Sequence, residues 1–301
     1  PERLGFGYEQ VAALNPQIIY LQSNGYGPDG PGSQRPSTHP IPGAAMGGVM
    51  YQMGDRVPET RQDIDNLKLW TRRIMRANEV NPDPNTAMAV QTSVMLGLVA
   101  RQRNGLGQRI LMDMFGANAW ANFDDFVDYP GKTARPMLDE LGFGLSPTYR
   151  LYACADDQWV FLALVHDHEK LRFSKLLEQS GVAVPALIEL TAHTDELEVT
   201  SFLERLFLTD TAEHWQQKFV DQGIACVRSD NASPADFWLN NEQVKETGIT
   251  QRVTHPQWGA YLRHGAGVTF GSAQPALTPP PYAGQHNKDI LLSLGYSEED
   301  I

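Results

Sequence analysis

The sequence is poor in cysteine, in long apolar runs and in positive charge. Two cysteines, Cys154 and Cys226, are too few for a disulfide framework, so a reducing cytoplasmic compartment is the expected location. No apolar run is long enough to cross a bilayer and no signal peptide is visible, so no membrane association is expected. Acidic residues outnumber basic ones by 36 to 24, and the net charge of -12 argues against nucleic acid or a membrane surface as a general partner.

What is present has the composition of a globular protein. The 301 residues are 42% hydrophobic and 20% charged, which predicts one large domain or two smaller ones. The chain begins at Pro1 without an initiator Met, and its first apolar strand follows almost at once. The sequence is therefore expected to be cut from something longer.

A strand followed by a glycine-rich loop opens the chain. Residues 17–23 have the continuous apolar and β-branched centre that is typical of a strand in a parallel sheet. Residues 24–32 follow as a loop rich in glycine, at the carboxyl end of that strand, where ligands bind in open α/β sheets. On composition alone such a loop is more often a plain connection than a ligand site.

The stretch around Asp83 predicts a loop, a helix over residues 87–103, a glycine turn and a second strand over residues 109–115. Apolar residues lie on nearly every face of the helix, which predicts that it is buried. Pro84 suits the first helical position, and Asp83 or Asn85 can cap the first turn. Asp83 is thus either a helix cap or a carboxylate nucleophile in a ligand cleft, and the residues themselves leave both open.

The second half of the chain predicts a small α+β domain over residues 146–232. Residues 149–164 read as a β-hairpin with residues 155–158 as its turn, and helices and a short strand follow. Beyond it, residues 234–246 predict one helix, residues 249–255 and 260–270 predict strands, and residues 287–294 predict a last helix.

Two basic features have an ordinary and a functional interpretation. Arg72, Arg73 and Arg76 cluster in a short predicted helix and indicate either a solvated face or contacts with phosphates. His39 stands alone after an extended segment, and a lone histidine is more often structural or solvated than catalytic.

The order of these segments resembles the family III CoA-transferases, a group that includes the α-methylacyl-CoA racemases, over essentially the whole chain. The phrases that carry the resemblance in the first half are Leu4-Gly-Phe-Gly-Tyr-Glu, Leu14-Asn-Pro-Gln-Ile-Ile-Tyr, Gly25-Tyr-Gly-Pro-Asp-Gly-Pro and Leu96-Gly-Leu-Val-Ala-Arg-Gln-Arg-Asn-Gly-Leu-Gly-Gln. Those in the second half are Tyr149-Arg-Leu-Tyr, Gly223-Ile-Ala-Cys, His255-Pro and Gly284-Gln-His-Asn-Lys-Asp-Ile-Leu.

The resemblance implies a function and a site. The family's nucleophilic aspartate falls on Asp83, which would attack an acyl-CoA and form an aspartyl-CoA thioester before a carboxylic acid acceptor reacts. Coenzyme A enters as the acyl-CoA substrate, and no metal is expected. The resemblance places Arg3, Asn24 and Tyr26 along the CoA cleft, and Gly142 and Gly144 in a loop that closes over the nucleophile.

His39 keeps a second function open. It falls where the racemases carry a histidine that exchanges the α-proton of the acyl-CoA together with the helix-start aspartate, here Asp83. The racemases also carry a glutamate just after the hairpin, where this sequence has residues 166–168, and that difference favours the transferase. A third alternative is a non-catalytic CoA-binding fragment or subunit.

The resemblance also implies an architecture. The family has a Rossmann-like large α/β domain and a small α+β domain, and its two subunits interlock as a homodimer. In these terms residues 1–145 are the first part of the large domain, without its N-terminal portion, and residues 233–301 return to it. Part of the CoA cradle is then missing, so the bare chain is expected to be weakly active or inactive.

Overall fold

The structure is a computed structural model, and it describes most of the chain. The described residues are 1–38, 40–47, 60–77, 82–123, 126–134, 136–139, 141–184, 196–229, 233–273 and 276–301, with the side chains of 40 and 72–77 set aside. They form a mixed α/β fold, as the sequence predicts. Their strands fall into a two-stranded parallel sheet, a four-stranded antiparallel sheet and a separate two-stranded hairpin.

The first unit is built on two parallel strands. Its elements are helix α1 (Tyr8–Leu14), strand β1 (Ile19–Asn24), helices α2 (Pro40–Ala45), α3 (Ile64–Ala77) and α4 (Pro82–Asn104), strand β2 (Gln108–Asp113) and helix α5 (Met114–Ala121). The register of the two strands runs from Ile19 opposite Gln108 to Asn24 opposite Asp113. The parallel pairing predicted for the first strand is confirmed, and both strands end at the same edge.

Helix α4 packs closely on this sheet at Gly97. A β-carbon at Gly97 would lie 3.1 Å from the Cδ1 atom of Ile110 on β2 and 3.1 Å from the Cγ2 atom of Ile19 on β1. The glycine therefore lets the helix backbone come down onto the two strands. This contact fixes the helix on the face of the sheet.

The prediction that α4 is buried is wrong for this chain. Only Pro82, Thr86 and Gly97 of the helix are buried, whereas Met88, Met95 and Leu96 are 60% to 65% exposed. The apolar side chains point to all sides, but the described sheet beneath the helix has only two strands and covers one side. An apolar pattern indicates which faces of a helix can be buried, but burial also requires other elements that pack on those faces.

The second unit is a four-stranded sheet with helices packed on it. Its strands, in sheet order, are β3 (Gly144–Ser146), β4 (Tyr149–Ala153), β5 (Trp159–Ala163) and β6 (Cys226–Ser229), and its helices are α6 (Asp167–Gln179), α7 (Glu196–Phe207) and α8 (Ala212–Val220). The predicted hairpin is confirmed, because β4 and β5 pair antiparallel with Tyr149 opposite Ala163.

One continuous hydrophobic core lies inside this second unit. Alternate residues of β4 and β5 are buried, as is typical of strands that turn one face to a core. The largest fully buried side chains of the core are Tyr152, Phe173, Phe207, Phe219, Leu162, Leu164, Leu177 and Leu203. Phe207 is at the centre, with aromatic contacts to Tyr152, Trp215 and Phe219.

The last part of the chain differs from the prediction at two points, because one predicted helix is two and the predicted strand over residues 260–270 ends at His264. Residues 234–246 form two helices, α9 (Pro234–Asn240) and α10 (Glu242–Glu246), rather than one. Asn241 between them is extended, with φ -63° and ψ 132°, and its side chain accepts a hydrogen bond from the Val244 N–H at the start of α10. The hairpin of β7 (Thr250–His255) and β8 (Gly259–His264) and helix α11 (Asn287–Ser293) follow.

Candidate active site

Asp83 is the second residue of α4, on the exposed side of its first turn. The helix begins at Pro82, so the prediction that Pro84 is its first residue is wrong by two positions. Either proline can take a first-turn position, and for this reason sequence alone did not separate them. Asp83 therefore lies inside the first turn, at the end of a 23-residue helix where the helix dipole stabilises negative charge.

Two side chains hold this first turn in place. The hydroxyl of Thr86, a residue only 6% exposed, donates a 2.6 Å hydrogen bond to the carbonyl oxygen of Pro82. The Nδ2 group of Asn85 donates a 2.8 Å hydrogen bond to the Oδ1 atom of Asn118 on α5. The turn that carries Asp83 is thus anchored, and Asp83 lies on its exposed side.

Helix α5 begins directly where strand β2 ends. Asp113, the last residue of β2, caps it by accepting a 2.7 Å hydrogen bond from the Gly116 N–H. Further along the helix, the Nδ2 group of Asn118 donates to the carbonyl oxygen of Met114 at 2.8 Å. The side chain of Asn118 therefore uses both ends of its amide, one toward its own helix and one toward α4.

The glycine-rich loop after β1 folds onto the start of the same helix. Asn24 lies opposite Asp113 at the carboxyl ends of the paired strands, and its Oδ1 atom accepts a 2.7 Å hydrogen bond from the Gly27 N–H. The half-buried ring of Tyr26 meets the ring of Phe115 edge-on, with 4.9 Å between centroids. Asn24 and Tyr26 thus have structural partners in the loop that the sequence assigned to CoA binding.

Asp83, Asn24 and Tyr26 are therefore connected through one short helix. The loop of Asn24 and Tyr26 contacts the start of α5, and the turn of Asp83 contacts its middle through Asn85 and Asn118. This edge of the parallel sheet is also where open α/β folds bind ligands.

Arg3 lies exposed in a single turn, Glu2–Leu4, ahead of α1. This end of the chain is tied to β1, because the Tyr20 hydroxyl donates a 3.0 Å hydrogen bond to the Phe6 carbonyl oxygen. The guanidinium is accessible to an anionic ligand from solvent. Its assignment to CoA phosphates stays a prediction.

Gly142 and Gly144 lie in a tight turn at the edge of the four-stranded sheet. Gly142 has φ 73°, and its N–H donates to the Asp139 carbonyl oxygen at 2.9 Å. Gly144 belongs to β3, where a β-carbon would lie 2.2 Å from the carbonyl oxygen of Tyr149 on β4. Close strand packing therefore accounts for Gly144, and the role of this segment as a loop over the nucleophile stays a prediction.

Arg150 attaches that turn to the second unit. Its side chain is 9% exposed and lies 3.6 Å from the Asp139 carboxylate and 3.7 Å from that of Glu204 on α7. The Asp139 carboxylate in turn accepts hydrogen bonds from the N–H groups of Leu141 and Phe143. The turn around Gly142 is thus held by a charged network that ends on a helix of the small unit.

Several predicted residues lie outside the described part of the chain. His39 is one, and the side chains of Arg72, Arg73 and Arg76 are others. Within the described ranges, no three His, Cys, Asp or Glu side chains are grouped so that they could hold a metal ion. Across those same ranges, no helix combines the length and apolar character needed to cross a membrane.

Sequence reasoning missed the residues that support the site. Asp113 could have been found, because a carboxylate at the junction of a strand and a helix is a favoured cap. Asn118 gave only a weak signal, as a polar residue in the middle of an apolar helix, where asparagine is disfavoured. Its partner Asn85 is 33 positions away in sequence, so the pair becomes visible only in the fold.

Comparison with known proteins places this chain in a family. The model of CoA-transferase family III matches residues 1–287. An acyl-CoA transferase of Fusarium pseudograminearum is 26% identical over 312 residues, which cover 100% of this chain and 63% of that protein. The (R)-2-hydroxy-4-methylpentanoate CoA-transferase of Clostridioides difficile is 21% identical over 306 residues, which cover 100% of this chain and 71% of that protein.

The fold has counterparts among solved structures. The crystal structure of a CAIB/BAIF family protein from Brucella suis superposes with a TM-score of 0.66, at 23% identity, over 97% of this chain and 72% of that one. The chain thus spans less than two thirds of the Fusarium protein and somewhat more of the other two. With a family model that matches nearly its whole length, the chain belongs to CoA-transferase family III.

Proposed function

We propose that this protein is an acyl-CoA:carboxylate CoA-transferase that uses Asp83 as its nucleophile. The observation that carries the proposal is the position of Asp83: an exposed carboxylate in the anchored first turn of α4, within a chain that belongs to CoA-transferase family III. A carboxylate nucleophile needs to be accessible, ionised and fixed in direction. Exposure makes Asp83 accessible, and the helix dipole favours negative charge at this end of the helix. The hydrogen bonds of Thr86 and Asn85 fix the turn that carries it.

The proposed reaction is a sequence of acyl and thioester exchanges. The Asp83 carboxylate attacks the thioester carbonyl carbon of the acyl-CoA, the C–S bond breaks, and a mixed anhydride and CoA thiolate form. The thiolate attacks the aspartyl carbonyl carbon of the anhydride, which gives an aspartyl-CoA thioester and releases the donor acid. The acceptor carboxylate then attacks this thioester, and the same two exchanges in reverse give the new acyl-CoA and free Asp83.

The other site residues receive binding roles in this proposal. The exposed Arg3 would contact the phosphates of CoA, and Asn24 and Tyr26 would line the cleft beside the pantetheine arm. Asn24 and Tyr26 hold the loop in shape through Gly27 and Phe115, so a ligand would meet a preformed surface. Gly142, in the turn held by Asp139, and Gly144, in the adjoining strand β3, would belong to the segment that closes over the nucleophile.

The test is replacement of Asp83 in the complete protein. Asp83→Asn keeps the shape of the side chain and removes the nucleophilic charge, and we expect acceptor-dependent CoA transfer to fall by roughly a thousandfold or more. Asp65→Asn is the matched control, because Asp65 is also an exposed acid in the first turn of a helix. Transfer that survives Asp83→Asn at the level of the control would exclude the proposed nucleophile.

A second assay separates transfer from racemisation. A racemase using His39 and Asp83 would exchange the α-proton of the acyl-CoA with solvent, whereas the transferase chemistry leaves that C–H bond intact. We expect no deuterium at the α-carbon after turnover in heavy water, and the same result for His39→Ala. Deuterium incorporation that depends on His39 would make the racemase the correct assignment.

We further propose that a second copy of this chain covers the exposed apolar side chains, as a homodimer. Among the described residues, Met88, Met95 and Leu96 of α4 are 60% to 65% exposed, and Trp120 and Phe123 at the end of α5 are 78% and 61% exposed. Obligate homodimer interfaces bury roughly 2,000–5,000 Å² in total and are rich in apolar side chains, so such an interface would cover part of the exposed apolar surface. Sedimentation equilibrium of the complete protein should give twice the monomer mass, and a monomer at micromolar concentration would contradict the proposal.

A further inference from the structure

We propose that Asn118 is a positioning residue for the nucleophile, which holds the first turn of α4 in the orientation that Asp83 needs. The inference rests on the proposed function, and it adds to it a residue that touches neither substrate nor nucleophile. It comes from the hydrogen-bonded amide pair of half-buried Asn85 and buried Asn118, which joins α4 to α5.

Burial and position make Asn118 unusual. It is 1% exposed and lies in the middle of α5 (Met114–Ala121), although asparagine is unfavourable within helices and polar side chains are costly to bury. Such a residue is tolerated when both the oxygen and the nitrogen of its amide have hydrogen-bond partners. Here the cost is offset by two bonds, of which one leaves the helix and reaches α4.

The two bonds fix the direction of the amide. Its Nδ2 group donates to the Met114 carbonyl oxygen, and its Oδ1 atom accepts from the Nδ2 group of Asn85. A flipped amide would set oxygen against oxygen on one side and N–H against N–H on the other. Asn118 therefore presents an acceptor of defined position to Asn85, which is two residues from Asp83 in the same turn.

The same helix carries the opposite side of the site. At its start, Phe115 packs against Tyr26. The carboxylate of Asp113 lies beside Gly27, because a β-carbon built on Gly27 would be 3.6 Å from the Asp113 Oδ2 atom. Helix α5 thus contacts the predicted CoA loop at one end and the turn of the nucleophile at its middle. Asn118 sets the relative placement of the two, and near-attack geometry depends on such placement.

The experiment measures transfer kinetics for Asn85→Leu, Asn118→Leu and the double variant in the complete protein. Leucine is close to asparagine in shape and removes the hydrogen bond. Asn122→Ala is the matched control, because Asn122 lies at the end of the same helix and its side chain donates to the backbone oxygen of Asn118 rather than to α4. Thermal unfolding and hydrogen exchange over residues 83–90 are recorded for each variant.

A positioning role predicts a defined pattern. Each single variant should lower kcat by about tenfold to a hundredfold with KM changed less than about threefold, and the double variant should lose no more than the worse single variant. Amide protons of the first turn of α4 should exchange faster in Asn118→Leu. Asn122→Ala should retain the kcat and the exchange rates of the unmodified protein.

Failure of this inference is distinguishable from failure of the proposed function. If the unmodified protein transfers CoA and Asp83→Asn does not, yet Asn118→Leu keeps full kcat, the positioning role is wrong and the function stands. Losses that multiply in the double variant, or an equal loss in Asn122→Ala, would also overturn it. If the unmodified protein transfers no CoA, the proposed function is wrong, and the inference is overturned with it.

Discussion

The two main units of this chain bury their apolar side chains to very different extents. In the four-stranded unit the core is closed, and Val160, Leu162 and Phe207 have no exposed surface. Among the described residues of the first unit, Ala117 is the only buried apolar residue other than proline and glycine, and Met88, Met95 and Leu96 of α4 are 60% to 65% exposed. The proposed nucleophile lies on the less covered unit.

The closed core therefore lies in one unit, and the residues of the proposed chemistry lie in the other. The four-stranded unit satisfies its own packing, so it can serve as a fixed support to which Arg150 attaches the turn of Gly142. The first unit presents strand ends, a loop and a helix start that need further cover. Ligand sites at strand ends are formed by surface loops, which are incompletely buried and therefore accessible to ligands.

The largest expected effect comes from opening the closed core. Phe207→Ala removes a fully buried ring that contacts three other aromatic residues, and it should lower the free energy of unfolding by about 3–5 kcal/mol. Urea denaturation followed by tryptophan fluorescence measures this change. The neighbouring Leu208 is 53% exposed, and Leu208→Ala should change the same quantity by no more than about 0.5 kcal/mol. Equal losses of stability in the two variants would show that the core of this unit is not closed.

A smaller effect on the free energy of unfolding is expected at Arg150, which attaches the turn of Gly142 to the four-stranded unit. Arg150→Met removes a nearly buried guanidinium from between Asp139 and Glu204, whose side chains are partly exposed, and should cost about 1–3 kcal/mol. Hydrogen exchange over residues 141–146 should become faster. Arg205→Met, at an exposed position on α7, is the control and should alter neither quantity. Unchanged exchange in Arg150→Met would mean that the turn is held by other contacts.

A third effect appears only at alkaline pH. Burial raises the pKa of the Cys154 thiol to about 11 and also raises the pKa of Cys226. The unfolded chain loses these protons first, near pH 9, so their contribution to stability is complete below that pH and is lost as pH rises toward 11 and beyond.

Denaturation from pH 8 to pH 11 tests this sign. Other groups titrate in the same range, so the informative quantity is the difference between the unmodified protein and the double variant Cys154→Ala, Cys226→Ala. The free energy of unfolding should fall more steeply with pH in the unmodified protein. Parallel curves would show that the thiols are accessible to solvent in the folded state.

The smallest effect is expected on the exposed surface of α4. Met95 is 60% exposed, so Met95→Gln should change the free energy of unfolding of the monomeric chain by no more than about 0.5 kcal/mol. Measured at rising protein concentration, the same variant also examines the proposed homodimer. A loss of stability that grows with concentration would place Met95 in a contact between copies, and a constant difference near zero would leave it on a free surface.

The sequence predicted the features that depend on neighbours along the chain. Two strand-like segments around the short turn at residues 155–158 predicted the hairpin of β4 and β5, and the continuous apolar strand before the glycine-rich loop predicted parallel pairing. It failed at Asn241, where a capping side chain ends one helix and begins another. Composition favoured one continuous helix there, and a single local hydrogen bond decided otherwise.

Features that depend on distant residues were predicted only in part. The apolar pattern of α4 predicted burial, but burial needs neighbours on every side, and the two described strands cover one. The sequence directed attention to Asp83, Asn24 and Tyr26, and the fold connects their segments through α5. Asn118, which makes that connection, was missed because nothing near it in sequence marks its partner Asn85.

The central claim is that Asp83 becomes acylated, and one measurement tests it most directly. The complete protein is incubated with an acyl-CoA and hydroxylamine, digested, and mapped by mass spectrometry. Hydroxylamine attacks an aspartyl anhydride or thioester and leaves a hydroxamate on the residue that carried it. The account predicts one hydroxamate, on Asp83, that is absent without acyl-CoA. A hydroxamate on another residue, or none while the protein transfers CoA, would contradict it.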